Sequence, residues 1–171
     1  LLCQMHRTGR HIDATPGPAQ VRPLAVIGIH ACDLRAVAIM DKVCSGGPYV
    51  EPGYSARLKS CFFVALNCGK AGGTCFCDSM KTGPRAESGF DLAMTEVLDG
   101  NRHFFVVEIG SDKGGEVMAG IPFAAATPKE IESADRLVAG AASSMGRKLD
   151  NKGITELLYA NLEHPRWDNV A

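Results

Sequence analysis

The sequence predicts an α/β (or α+β) domain: a mixed sheet with flanking helices and a long Gly-rich cysteine loop. Three observations carry this expectation. The runs "PLAVIGI" and "CFFVAL" are short, apolar and rich in β-branched and aromatic residues, as buried strands are. Stretches of helical period with start signals alternate with them. A Gly-rich stretch after the second run then carries Cys68, Cys75 and Cys77 in close succession.

The elements follow in order. Leu1–Val21 reads as irregular, broken by Pro16 and Pro18. Pro23–Ile29 reads as a buried strand. Ala31–Cys44 changes to helical period, with Leu34, Val37 and Ala38 on one face. Asp33 falls in its first turn, where an acid favours the helix dipole. Tyr54–Ser60 reads as a short helix and Cys61–Leu66 as a second buried strand. Gly69–Arg85 is a loop, long enough within a compact domain to suggest function. Asp91–Val97 and His103–Ile109 read as two strands joined by a turn signalled by Asp99-Gly100. Lys113–Ala119 reads as a helix. Pro128–Leu149 is the clearest helix, with Thr127 as cap, Pro128 at its first position, and Glu130 and Glu132 in its first turn. Ile154–Leu162 is another helix, ended before Pro165.

Composition narrows the function classes. At 171 residues, 46% hydrophobic and 22% charged, the chain is long and apolar enough for a full core. A net charge of −1 argues against a general nucleic-acid binder. No apolar run approaches the roughly 20 residues of a membrane span, and "LLCQMHRTGRHIDATPG" lacks the apolar core of a secretory signal. The expectation is a cytoplasmic chain whose residues 1–171 form a single, partial domain. Seven cysteines, clustered and odd in number, point to metal or catalysis rather than a disulfide framework.

The cysteines carry the strongest chemical signal. An iron–sulfur cluster needs four converging thiolates, and three from one Gly-rich loop with one from elsewhere meets that need. Cys68 ends a strand, and the glycines of "GKAGG" permit close backbone approach. Cys75 and Cys77 flank Phe76, so an extended stretch turns both thiols to one side, leaving Phe76 to pack inward and seal the site. Thr74, Ser79 and Thr82 are candidate hydrogen-bond donors to cluster sulfurs. Cys32 is the best fourth ligand. It opens a helix, where thiolates are stabilised, and it shares an edge with Cys68 if the two apolar strands are parallel. Cys61 and Cys44 read as ordinary small apolar residues. His30 reads as a ligand, a donor beside one, or a structural histidine. Structural zinc on the same thiols and a metal-free scaffold remain as rivals, although the paired C-x2-C knuckles of zinc ribbons are missing. "GIHACD" lacks a dinucleotide fingerprint, "GSDKGG" reads as a plain turn, and Asp91 and Glu96 are spaced to face opposite sides of a strand.

The order of motifs resembles a known group: "PLAVIGIHACDLRAVAIMDKV", "FFVALNC", "GGTCFCDSMKTGP", "SGFDLAMTE", "VVEIGSDKGGEVM" and "HPRWDNVA". It is similar to the β-subunit of cytosolic NiFe hydrogenases (sulfhydrogenases) and to the electron-transfer subunit of anaerobic sulfite reductases, within the 4Fe–4S dicluster proteins. The resemblance runs from about Arg22 onward. It implies an electron-transfer subunit with no catalytic centre of its own. Its partners would be a flavin/NAD(P)H-binding subunit together with the catalytic subunit of a hydrogenase or a sulfite reductase. It also implies a ferredoxin-like domain after Ala171. Two positions depart from the family pattern: Ala31 stands where Pro is usual, and Lys81 where Gly is usual. The resemblance places Cys32, Cys68, Cys75 and Cys77 at its cysteine positions. From their chemistry they are expected to hold one [4Fe–4S] cluster, with Asp33, Thr74, Ser79 and Lys81 around it and Lys81 or Arg85 tuning its charge.

Overall fold

The computed structural model describes residues 3–16 and 21–170. Strands β3 (Leu24–Ile29), β4 (Cys61–Leu66), β5 (Leu92–Asp99) and β6 (Arg102–Ile109) form one sheet in that order. β3 and β4 are parallel, as are β4 and β5, whereas β5 and β6 form an antiparallel hairpin. This is the mixed α/β arrangement expected. The segment before it differs from expectation. Cys3–Thr8 (β1) and His11–Pro16 (β2) pair antiparallel as a separate two-stranded sheet. Their polar, mostly exposed residues hide the pairing from a reading that looks for apolar runs. Pro18 lies outside the described residues.

Helices cover both faces. Side chains alternate along β5, so Leu92 and Met94 point to one face and Ala93, Thr95 and Val97 to the other. On the first face, Met118 of α3 (Asp112–Ala119) packs with Val64 and Leu92. Gly114 lets α3 approach this closely, since a Cβ there would sit 2.0 Å from the Asp91 carbonyl oxygen. On the second face, Ala31 and Leu34 of α1 (Ala31–Ser45) pack with Ala65 and Ala93, and Ala134 of α4 (Pro128–Ser143) packs with Val97 and Val106. The short helix α2 (Pro52–Ser60) leads into β4.

Three expectations change. β3 is an edge strand, with Leu24 57% and Ile27 72% exposed, because α3 packs over β4 and β5 and stops short of it. Helix α4 has the expected capping box, in which Thr127 and Glu130 bond reciprocally, but it ends at Ser143 instead of Leu149. The Ser143 and Ser144 hydroxyls donate back to the carbonyls of Gly140 and Ala141, and the chain then turns Met145 inward. The last helix, α5 (Ile154–Ala160), ends two residues early and is followed by a 3-10 turn, Pro165–Asn169. Among the described residues, no helix is long and apolar enough to cross a membrane.

Candidate metal centre

The candidate site forms where β3 and β4 end side by side. Parallel pairing sends both chains out of the sheet at the same edge. At the end of β3 the register shifts between Ile27 and Ile29, across Gly28 at φ 85°. His30 then caps α1, with its backbone N–H donating to Asp33 Oδ2 at 3.2 Å. Cys32 follows as the second residue of the helix, among backbone N–H groups that have no partner within it.

At the end of β4, Asn67 is 3% exposed and bonded on all sides. Its backbone N–H donates to the Met94 carbonyl at 2.8 Å, and its Nδ2 donates to Thr95 Oγ1 at 2.9 Å. Its Oδ1 accepts from the backbone N–H of Ala86 at 2.8 Å. Cys68 N–H donates to the Pro84 carbonyl at 3.2 Å. These bonds draw the two ends of the cysteine loop together, so the loop needs little apolar packing to hold its course.

Within the loop, turns do the positioning. Cys75 N–H closes a turn on the Gly72 carbonyl, and the N–H groups of Met80 and Thr82 close turns on the Cys77 carbonyl. The Cys75–Cys77 stretch is therefore not extended, and Phe76 is 43% exposed instead of packing inward. The loop leans on the segment after α4. Leu149 N–H donates to Ser79 Oγ at 3.1 Å and Asn151 Nδ2 to the Ser79 carbonyl at 2.8 Å. Thr82 Oγ1 donates to the Cys77 carbonyl at 3.4 Å, Thr74 is exposed, and Lys81 sits in the left-handed region at φ 53°. Arg85 is turned to Glu108, at 2.7 Å, and to Asp135.

Cys32, Cys68, Cys75 and Cys77 line one cavity of about 330 Å³, together with His30 and Met145. Cys3, Cys44 and Cys61 do not, and all seven cysteines are free thiols. The four thiols feel one another. Burial, then neighbouring Cys77, Cys32 and Cys75, and then Asp33 push the Cys68 thiol above its ordinary pKa. Burial, then Cys32 and Cys75, raise Cys77, against the lowering effect of the backbone N–H groups of Cys77 and Asp78. Packing four thiolates here would thus be unfavourable without a cation to share. Two N–H groups already point at sulfur: Gly72 N–H donates to Cys75 Sγ at 3.3 Å, and His30 Nδ1 lies 3.6 Å from Cys68 Sγ.

The donor set fits an iron–sulfur group better than one ion. Soft thiolates select zinc or iron–sulfur clusters. On a single zinc, thiolates would crowd to roughly 4 Å from each other, given Zn–S bonds of about 2.3 Å. Among the described residues, no three His, Cys, Asp or Glu side chains converge on a point in that way. Four thiols spaced around a cavity suit a cluster with one thiolate per iron.

Asn67 and Met145 escaped the sequence reading. An Asn directly before a strand-end cysteine is a usable signal for the first. For Met145, 68 residues from Cys77 in sequence and 4.0 Å from its sulfur in space, the sequence carries no signal.

No protein-family model matches the chain, and no solved structure matches it. Over 148 residues it is 28% identical to sulfhydrogenase 2 subunit beta of Pyrococcus furiosus. That alignment covers 85% of this chain and 42% of the relative, so the chain spans less than half the relative's length. The parallel strand ends and their four-thiol cavity therefore belong to a sequence related to a hydrogenase β-subunit.

Proposed function

We propose that this chain is an electron-transfer module of a hydrogenase-type oxidoreductase complex, holding one [4Fe–4S] cluster through Cys32, Cys68, Cys75 and Cys77. The observation that carries the proposal is the meeting of these four thiols, out of seven, in one cavity at the C-terminal ends of two parallel strands. The cluster would supply one-electron storage and release. The protein's own groups do the rest. The start of α1 favours negative charge at Cys32. Gly72 N–H bonds the Cys75 sulfur, and buried Met145 closes the cavity beside Cys77. Asn67 holds the strand end that presents Cys68.

The sulfhydrogenase relative supports the wider setting. The electrons would pass between a catalytic subunit, of the NiFe hydrogenase or the sulfite reductase kind, and a flavin/NAD(P)H-binding subunit. Such a complex would work in the cytoplasm. Residues 1–171 would be one domain of a longer subunit that carries further clusters in a ferredoxin-like domain.

The test is anaerobic reconstitution of the chain with iron and sulfide, followed by visible and EPR spectra and an iron count. A brown protein with about four irons, lost in Cys75→Ser and in Cys32→Ser, is the expected result. A colourless protein with one zinc would make the domain a structural module. A protein that takes up no metal would make it a docking scaffold.

A further inference from the structure

Among the described residues, His30 is the one side chain in the cavity, other than the cysteines themselves, that brings a polar hydrogen to a cysteine sulfur. Its Nδ1 lies 3.0 Å from the Leu66 carbonyl oxygen and 3.6 Å from Cys68 Sγ. A carbonyl oxygen only accepts, so the bond to Leu66 requires the hydrogen to be on Nδ1. The ring's orientation is set by the backbone at both ends. His30 caps α1 at the end of β3, and its acceptor is the last residue of the neighbouring strand β4. One N–H is thus held between a carbonyl and the Cys68 sulfur before any metal enters.

From this geometry we infer that His30 is a positioning residue for the redox function, donating a hydrogen bond to the Cys68 sulfur and making the site easier to reduce. The inference rests on the cluster reading above. Reduction adds one electron, makes or breaks no bond, and moves no proton. Part of the added negative charge falls on the ligating sulfurs. A charge-assisted N–H···S bond strengthens as the sulfur becomes more negative, so it stabilises the reduced form more than the oxidised one and raises the potential. Without a metal, the same N–H leans on the Leu66 carbonyl, which has the shorter contact.

The experiment is a dithionite titration of the reconstituted chain, comparing the unaltered protein with His30→Leu and His30→Asn. Leucine has similar bulk and no donor. Asparagine places an amide N–H where Nδ1 was and is a favoured helix cap. The midpoint potential should move to more negative values in His30→Leu and return most of the way in His30→Asn, at equal iron content in all three. An unshifted His30→Leu with full iron would overturn the inference and leave the cluster reading intact. So would a His30→Asn as negative as His30→Leu. Failure of the unaltered protein to take up iron would overturn both. If His30→Leu does not fold, labelling the unaltered protein with 15N-histidine decides. The reduced site should show a nitrogen coupling by double resonance that His30→Asn loses, and a spectrum without that coupling would overturn the inference.

Discussion

The cysteine loop and the α4–hairpin wedge lie at neighbouring parts of one sheet and are held by different physics. The wedge is apolar. Val97, Val106 and Ala134 are buried together, with Phe104 and Leu137 packed against them. The loop buries almost no apolar side chain after Cys68 until Pro84, and its path is set by turns, by Asn67 and by the contact with Leu149 and Asn151. Burial drives the first and directional bonds position the second. A region of the second kind can keep four mutually repelling thiols in place, because its shape does not depend on filling their space with carbon.

The sharpest way to break this contrast is at Asn67. Asn67→Ala leaves the Ala86 N–H and the Thr95 hydroxyl without their buried partner, which should cost about 2–4 kcal/mol in chemical denaturation. Iron retention should fall with it, because Cys68 loses its anchor. Val97→Ala removes carbon from the wedge instead. It should cost about 2 kcal/mol while iron uptake by the folded protein stays unchanged. Equal loss of iron in both variants would show that the two regions are one cooperative unit.

Acid should act on the wedge first through its cap. The backbone N–H of Thr127, then Arg102 and the Thr127 hydroxyl, hold the Glu130 carboxyl at about 2, down from 4.5. A lowered carboxyl stabilises the fold fully above the unfolded value and loses that contribution as pH falls toward the folded one. The helix signal of α4 should therefore weaken between pH 4.5 and about 2. Glu130→Gln should remove that part of the pH dependence, as followed by circular dichroism. The smallest effect is expected in the loop. Lys81 holds a left-handed backbone at φ 53°, where a Cβ is strained and glycine is not. Lys81→Gly should stabilise by about 0.5 kcal/mol once the greater freedom of unfolded glycine is subtracted. This position is also where the resembling family usually has Gly.

Much of the architecture was legible because its signals are local. The apolar runs at Leu24–Ile29 and Cys61–Leu66, the Thr127–Pro128–Glu130 start of α4 and the turn at Gly100–Asn101 each depend on a few adjacent residues. The hairpin Cys3–Pro16 was missed because it has no buried face to impose alternation. The early end of α4 was missed because serines that bond back to the helix look locally like residues that continue it.

Residue order alone specifies the thiols, the flexible glycines around them and the two strands that lead to them. The folded arrangement adds that Cys32 shares a cavity with Cys68, Cys75 and Cys77, and that Asn67, Met145 and the N–H of His30 surround them. The physical reason is the parallel pairing of β3 with β4. It joins residues more than 30 positions apart at one sheet edge, and such a juxtaposition leaves no periodic trace in the chain.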